Sequence, residues 1–238
     1  YYMKTSQEWI AALKPYENEE KKKVLSQFFK TGKGEYGEGD VMVGICVPDN
    51  RRVACTAALS DLTVIEEMLS HEVHEYRLSA LLALVERYKK AATADKEEIV
   101  RFYLSHTASI NNWDLVDLSA PYILGAEMLR TSDTAPALRL AESTDMWQQR
   151  IAIVSMLTFI RAGRFDTPLQ IVTQQLDTPH DLLQKANGWV LRELGKKDEA
   201  LLCRFLEQHA ATMPRTTLRY AIERLDTARK RHYMTLKN

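Results

Sequence analysis

The segment Ser109–Pro121, SINNWDLVDLSAP, gathers a tryptophan, two aspartates and a pair of asparagines among helices otherwise built from plain apolar stripes. Read as a helix, it places Trp113 and Asp117 at i and i+4 on one face, while Leu115, Val116 and Leu118 supply the buried side. Asn111 or Asn112 suits the N-cap, and Asp114 in the first turn suits the positive end of the helix dipole. Asp114 therefore has a structural reason to be there. Asp117, a turn further on, has a weaker one. Trp113 alone would read as a core residue, as most tryptophans are largely buried; its polar neighbours set it apart.

Two further tryptophans sit beside cations. Trp147 lies three residues before Arg150, and Trp189 lies four after Lys185, so each pair shares a helix face. Cations meet phosphates, and indole faces meet sugars, bases or cationic groups, which makes such a surface a nucleic-acid platform. The net charge is zero, but it is unevenly spread. From Lys185 onward, through Arg192, Arg219 and Lys237, twelve basic residues face six acidic ones. A basic end fits phosphate contact. A solvated charged face is the plain alternative.

The elements that must position these side chains are helices with apolar residues at 3.6-residue spacing, as in Tyr76–Ala91, from Met146 to Gly163, and from Leu182 to Lys197. Pro121 and Pro168 fall near helix starts, Gly163 and Gly195 near helix ends. Val41–Pro48, VMVGICVP, is the one stretch that reads as extended, and it adjoins a glycine-rich loop. The polar residues that open successive apolar runs are Arg77, Asp114, Arg150, Lys185 and Arg219, at intervals of 37, 36, 35 and 34. A period of this size with two helices per unit predicts an all-α helical-repeat solenoid. The tetratricopeptide signature is absent, which favours HEAT-like repeats in one domain over residues 1–238. In such a superhelix the five recurring positions would form a row on the concave face, four cations and one acid.

Other chemistry is excluded or weak. No run of about 18 apolar residues is present, so no membrane span is expected. Tyr1-Tyr2-Met3-Lys4 is followed by no apolar run of the signal-peptide kind. Cys46, Cys55 and Cys203 are too few and scattered for a disulfide framework or a zinc site, which fits reduced thiols and a cytoplasmic location. There is no GxxxxGK[ST] loop and no GxSxG turn; Thr31–Asp40, TGKGEYGEGD, is glycine-rich but follows a helix and is full of acids. His71 and His74 are three apart with no third ligand in evidence, so no metal and no cofactor are expected.

Taken together, NNWDLVD, WQQRIAI and KANGWVLRE resemble the AlkD-type DNA glycosylases, the DNA alkylation repair family of HEAT-like repeats. The likeness runs from about SQFFKTGKGEYGEGD to RYAIERL. It implies a C-shaped solenoid holding duplex DNA in a concave basic groove, acting as a monomer, and excision of cationic N3- and N7-alkylated purines without insertion of the base into a pocket. It implies a bacterial, nucleoid-associated setting. Carried over by position, the catalytic aspartate is Asp117, and the sugar-facing tryptophans are Trp113 and Trp189. Arg150 is the backbone-binding arginine, and Arg192 is placed in the DNA groove; Lys185 and Arg219 join them there from the repeat row, and Trp147 from its spacing to Arg150. The chain departs from the pattern where a tyrosine would approach DNA from the N-terminal helix: here SQFFK offers Phe28 or Phe29. The loop Thr31–Asp40 is also longer.

The implied chemistry needs few residues. Alkylation at N3 or N7 makes the purine a cationic leaving group, so no acid need protonate it. An oxocarbenium-like sugar and a water remain, and one carboxylate can stabilise the first and orient the second. Ordinary glycoside hydrolysis needs two carboxyl groups. Two other readings compete: a DNA-binding scaffold of the same fold without catalysis, and a protein-binding solenoid.

Overall fold

The apolar stripes fold as helices throughout. The computed structural model of the chain describes residues 2–236; Tyr1 and Lys237, both used in the sequence reading, lie outside the described residues. No β-strand occurs among the described residues, only an isolated parallel bridge between Val41 and Val73. Two compact units are present, Tyr1–Ile123 and Leu124–Asn238.

The first unit carries α1 (Ser6–Leu13), α2 (Glu19–Phe28), α3 (Val47–Thr56), α4 (Leu62–Leu69), α5 (His74–Lys90), α6 (Thr93–Ser105) and α7 (Trp113–Asp117). The 17-residue α5 is its axis. It is buried from His74 to Val85, and α3, α4, α6 and α7 pack against it. Leu78, Leu81, Leu82, Leu84 and Val85 are almost wholly withdrawn from water. Each such side chain contributes about 1.5–3 kcal/mol of transfer free energy. Trp9 of α1 is fully buried, and its indole N–H donates to Ser79 Oγ of α5 at 2.9 Å.

The second unit carries α8 (Ala126–Thr131), α9 (Ala135–Ala141), α10 (Met146–Arg161), α11 (Asp166–Gln174), α12 (Asp181–Lys197), α13 (Glu199–His209), α14 (Arg215–Ala221) and α15 (Thr227–Thr235). Here the alternation of a helix pair is plain: α10 packs on α9, α11 and α12, and α12 packs on α13 and α14. The recurring positions Arg150, Lys185 and Arg219 fall on α10, α12 and α14, every second helix, as the 34–37-residue period requires.

Two expectations change. Val41–Pro48 is not a strand: after the Val41 bridge the chain is irregular, and Val47 and Pro48 open α3 with Cys46 at its N-cap. Arg77 is not a groove cation. It is 6% exposed and donates to Asp40 Oδ1 at 2.6 Å, to Asn111 Oδ1 at 3.2 Å, and to the carbonyls of His71 and Glu72. A guanidinium so buried needs that many acceptors to offset its desolvation.

The irregular stretch is held by a carboxylate. Glu75, 2% exposed, accepts the amides of Val43, Gly44 and Ile45 at 2.7–3.3 Å. Gly44 has φ +84°, and a Cβ there would lie 2.0 Å from the carbonyl oxygen of Asn18. Gly44→Ala is therefore expected to cost about 2–4 kcal/mol of unfolding free energy, from left-handed strain and the clash together. Urea unfolding at neutral pH checks it; a loss under about 0.5 kcal/mol would show that the turn yields.

Candidate active site

α7 is five residues long, and its first turn is tied down on every side. Asn112, fully buried, is the N-cap and accepts the amide of Trp113 at 2.8 Å. Asp114, 5% exposed, accepts the amide of Leu115 at 2.8 Å through Oδ1 and bonds His74 Nε2 at 2.7 Å through Oδ2. The expected division of labour between the two aspartates is thus half visible: Asp114 supports the helix. The row of groove cations does not include it; it is the buried partner of a histidine.

His74 sits between two carboxylates, with Nδ1 at 2.9 Å from Asp40 Oδ2. Burial alone would lower its pKa, but the hydrogen bonds and charges of Asp114 and Asp40 outweigh that and push it up to about 9. Burial would raise Asp40, yet the His74 hydrogen bond and the charge of Arg77 bring it down to about 2. At neutral pH the cluster is therefore two cations, His74 and Arg77, against two carboxylates.

Beside this cluster opens a cavity of about 280 Å³. Its walls include Phe28, Phe29, Met42, Leu78, Trp113 and Asp117. Phe29 is buried and stacks on the Trp113 ring, with centroids 5.0 Å apart at 26°, and Phe28 meets the same indole edge-on at 5.4 Å. The two phenylalanines divide the position sequence reading left open: Phe29 faces inward against Trp113, and Phe28 is 58% exposed. Asp117 closes α7 and is half-buried. Burial chiefly raises the pKa of the enclosed Tyr103 hydroxyl, and the charge of Asp117 adds to the rise, so the two groups lie within electrostatic reach.

In the second unit the positions taken from the sequence lie as follows. Asp145 caps α10 by accepting the amide of Trp147 at 2.7 Å, and Trp147 is half-buried. Arg150 is 5% exposed and donates to the carbonyl of Leu182, joining α10 to the start of α12. Lys185 pairs with Asp181 at 2.7 Å, one turn earlier on α12. Trp189 is half-buried, Arg192 pairs with Glu223 and lies 5.9 Å from the Tyr220 ring, and Arg219 is exposed.

The family model described as DNA alkylation repair enzyme matches residues 9–225 of this chain. The chain belongs to the DNA alkylation repair enzyme family. Among solved structures, one described as a predicted DNA alkylation repair enzyme from Enterococcus faecalis superposes with a TM-score of 0.71. It shares 17% identity over 89% of this chain and 97% of its own, a likeness of fold. No curated protein matches the sequence.

In this DNA alkylation repair chain, sequence reading missed Asp40, His74 and Glu75 as parts of the site's frame. By spacing alone, His71 and His74 read only as an incomplete ligand pair. The available signal was the one acid at the end of the glycine-rich loop, followed directly by the apolar run Val41–Val43.

The cluster also fixes a pH response. A folded-state pKa raised from 6.5 to about 9 contributes stability that is fully present below pH 6.5 and is lost as pH rises through about 9. The lost term is about 3 kcal/mol. Asp40, lowered from 3.8 to about 2, contributes in the opposite sense: its share is present above pH 3.8 and lost toward pH 2. Both shifts arise from the one His74–Asp40 contact and its neighbours. Urea midpoints measured from pH 6 to pH 10 are expected to fall most steeply about midway between 6.5 and about 9, near pH 8, in wild type and to flatten in a His74→Leu variant.

Proposed function

We propose that this chain is a DNA glycosylase that hydrolyses the N-glycosidic bond of cationic N3- and N7-alkylated purines in duplex DNA. One observation supports it above the others: Trp113 and Asp117 line one cavity, with Phe28 and Phe29 packed around the indole. A carboxylate set among aromatic faces suits a cation and little else. The rings attract positive charge through their quadrupoles and exclude water, which strengthens the carboxylate. In this reading Asp117 stabilises the oxocarbenium-like sugar and orients the attacking water, and Trp113 and Trp189 face the sugar. Lys185, Arg192, Arg219 and Trp147 serve the DNA backbone, while Arg150, expected there too, is withdrawn like Arg77 and holds α10 to the start of α12 through the Leu182 carbonyl. No cofactor takes part, the protein works as a monomer, and its place is the cytoplasm with the nucleoid.

Cationic lesions are then substrates, and neutral adducts are cut poorly unless their glycosidic bond is already labile. The experiment is release of 7-methylguanine and 3-methyladenine from methylated duplex DNA, followed by chromatography. Release above spontaneous depurination is the expected result. Binding of the duplex without any release would instead support the non-catalytic DNA-binding scaffold. No described helix is long and apolar enough to cross a membrane.

A further inference from the structure

The glycine-rich loop ends in a residue that holds the site without lining it. Asp40 follows Gly39, whose φ of +88° turns the chain, and its own amide donates to the Gly37 carbonyl at 3.1 Å. On its other side Val41 accepts the His74 amide at 2.9 Å. The backbone is thus fixed on both flanks, and the carboxylate is 8% exposed. It receives three side chains: His74 Nδ1 at 2.9 Å, Arg77 at 2.6 Å, and Asn112 Nδ2 at 3.2 Å.

Two of these bonds continue into α7. Asn112 passes from Asp40 to the amide of Trp113, and His74 passes from Asp40 through Asp114 to the amide of Leu115. Both chains end on backbone N–H groups of the turn that carries Trp113 and Asp117. A five-residue helix has no stability of its own, so its orientation is set by what grips it. Arg77 adds a third hold by donating to both Asp40 and Asn111.

We propose that Asp40 is the positioning residue of this site: from 72 residues upstream of the α7 cap, it fixes where the Asp117 carboxylate stands. The proposal rests on the glycosylase reading for its kinetic readout only. Asp40 is not among the residues that line the cavity, so its effect must travel through Asn112 and the His74–Asp114 pair.

The test uses the full chain with Asp40→Ala and Asp40→Asn, under single turnover with protein in excess over methylated duplex. The excision rate is expected to fall about 100-fold in Asp40→Ala, the scale of a displacement near 1 Å at a reacting centre. Duplex affinity is expected to stay within about threefold. Asp40→Asn keeps one acceptor oxygen but loses the charge, and is expected to fall between. The double variant Asp40→Ala/Asp117→Asn is expected to be no slower than Asp117→Asn alone, because a residue that acts through Asp117 has nothing further to lose. Full activity in Asp40→Ala, or losses that add in the double variant, would overturn the proposal. If Asp40→Ala does not fold, Asp40→Asn carries the same comparison. If wild type releases no base, the glycosylase reading fails, and the positioning claim is read by hydrogen exchange. The Trp113 and Leu115 amides must then exchange faster in Asp40→Asn than in wild type, and unchanged protection rejects it.

Discussion

Asp117→Asn is expected to lower base excision by about 10²–10⁴-fold while leaving duplex binding within a few-fold of wild type. The amide keeps the size and one acceptor oxygen, so what is removed is a charge. A unit charge about 4 Å from a developing cation is worth about 4 kcal/mol at the effective dielectric of a partly enclosed site, close to three decades in rate. The half-buried position of Asp117 and the aromatic walls around it favour that regime over bulk water. Base release from methylated duplex, compared with binding of the same duplex, separates the two effects. Equal rates for wild type and Asp117→Asn would remove Asp117 from the chemistry and return the protein to the scaffold reading.

His74→Leu is expected to cost about 3–5 kcal/mol of unfolding free energy at pH 7. The imidazolium is 1% exposed and lies between Asp40 and Asp114; without it Asp40 keeps the Arg77 guanidinium and the Asn112 amide, but Asp114 is left with the Leu115 amide and no cation in contact. Loss of a buried partner is costly because the desolvated charge that remains has no substitute in water. The double variant His74→Leu/Asp114→Leu removes one stranded charge together with its partner and is expected to recover part of the loss. Urea unfolding of the two variants decides it. A double variant less stable than the single would mean that Asp114 matters through its cap on Leu115 more than through His74.

Much of this frame could be read from residue order. The 3.6-residue stripes marked α5, α10 and α12 to within two residues of their observed starts, because an amphipathic period is a local property. The cap on α7 resolved to Asn112, one of the two asparagines proposed, and Asp114 took the supporting role its first-turn position implied. The buried cluster could not be read the same way. Asp40, His74 and Asp114 are 34 and 40 residues apart, and nothing in a local pattern says that a loop acid, a helix-opening histidine and a first-turn aspartate share protons. The recurring cations misled for a related reason. Periodicity finds equivalent positions but not the direction a long side chain takes, and Arg77 turns inward to Asp40 where solvent was expected. The extended look of Val41–Pro48 came from β-branched residues that here serve a turn gripped by Glu75.

The shortness of α7 bears on how the molecule comes to be competent. Its grip depends on contacts spanning 34 to 72 residues, so the loop-closure entropy of three distant segments must be overcome before its first turn is held. Helices such as α5 and α10 can form from their own neighbours much earlier. During refolding, helical signal is therefore expected to return before the first turn of α7 is held, and a chain still emerging through residue 117 would seat Asp117 only after Asp40 and His74 had met.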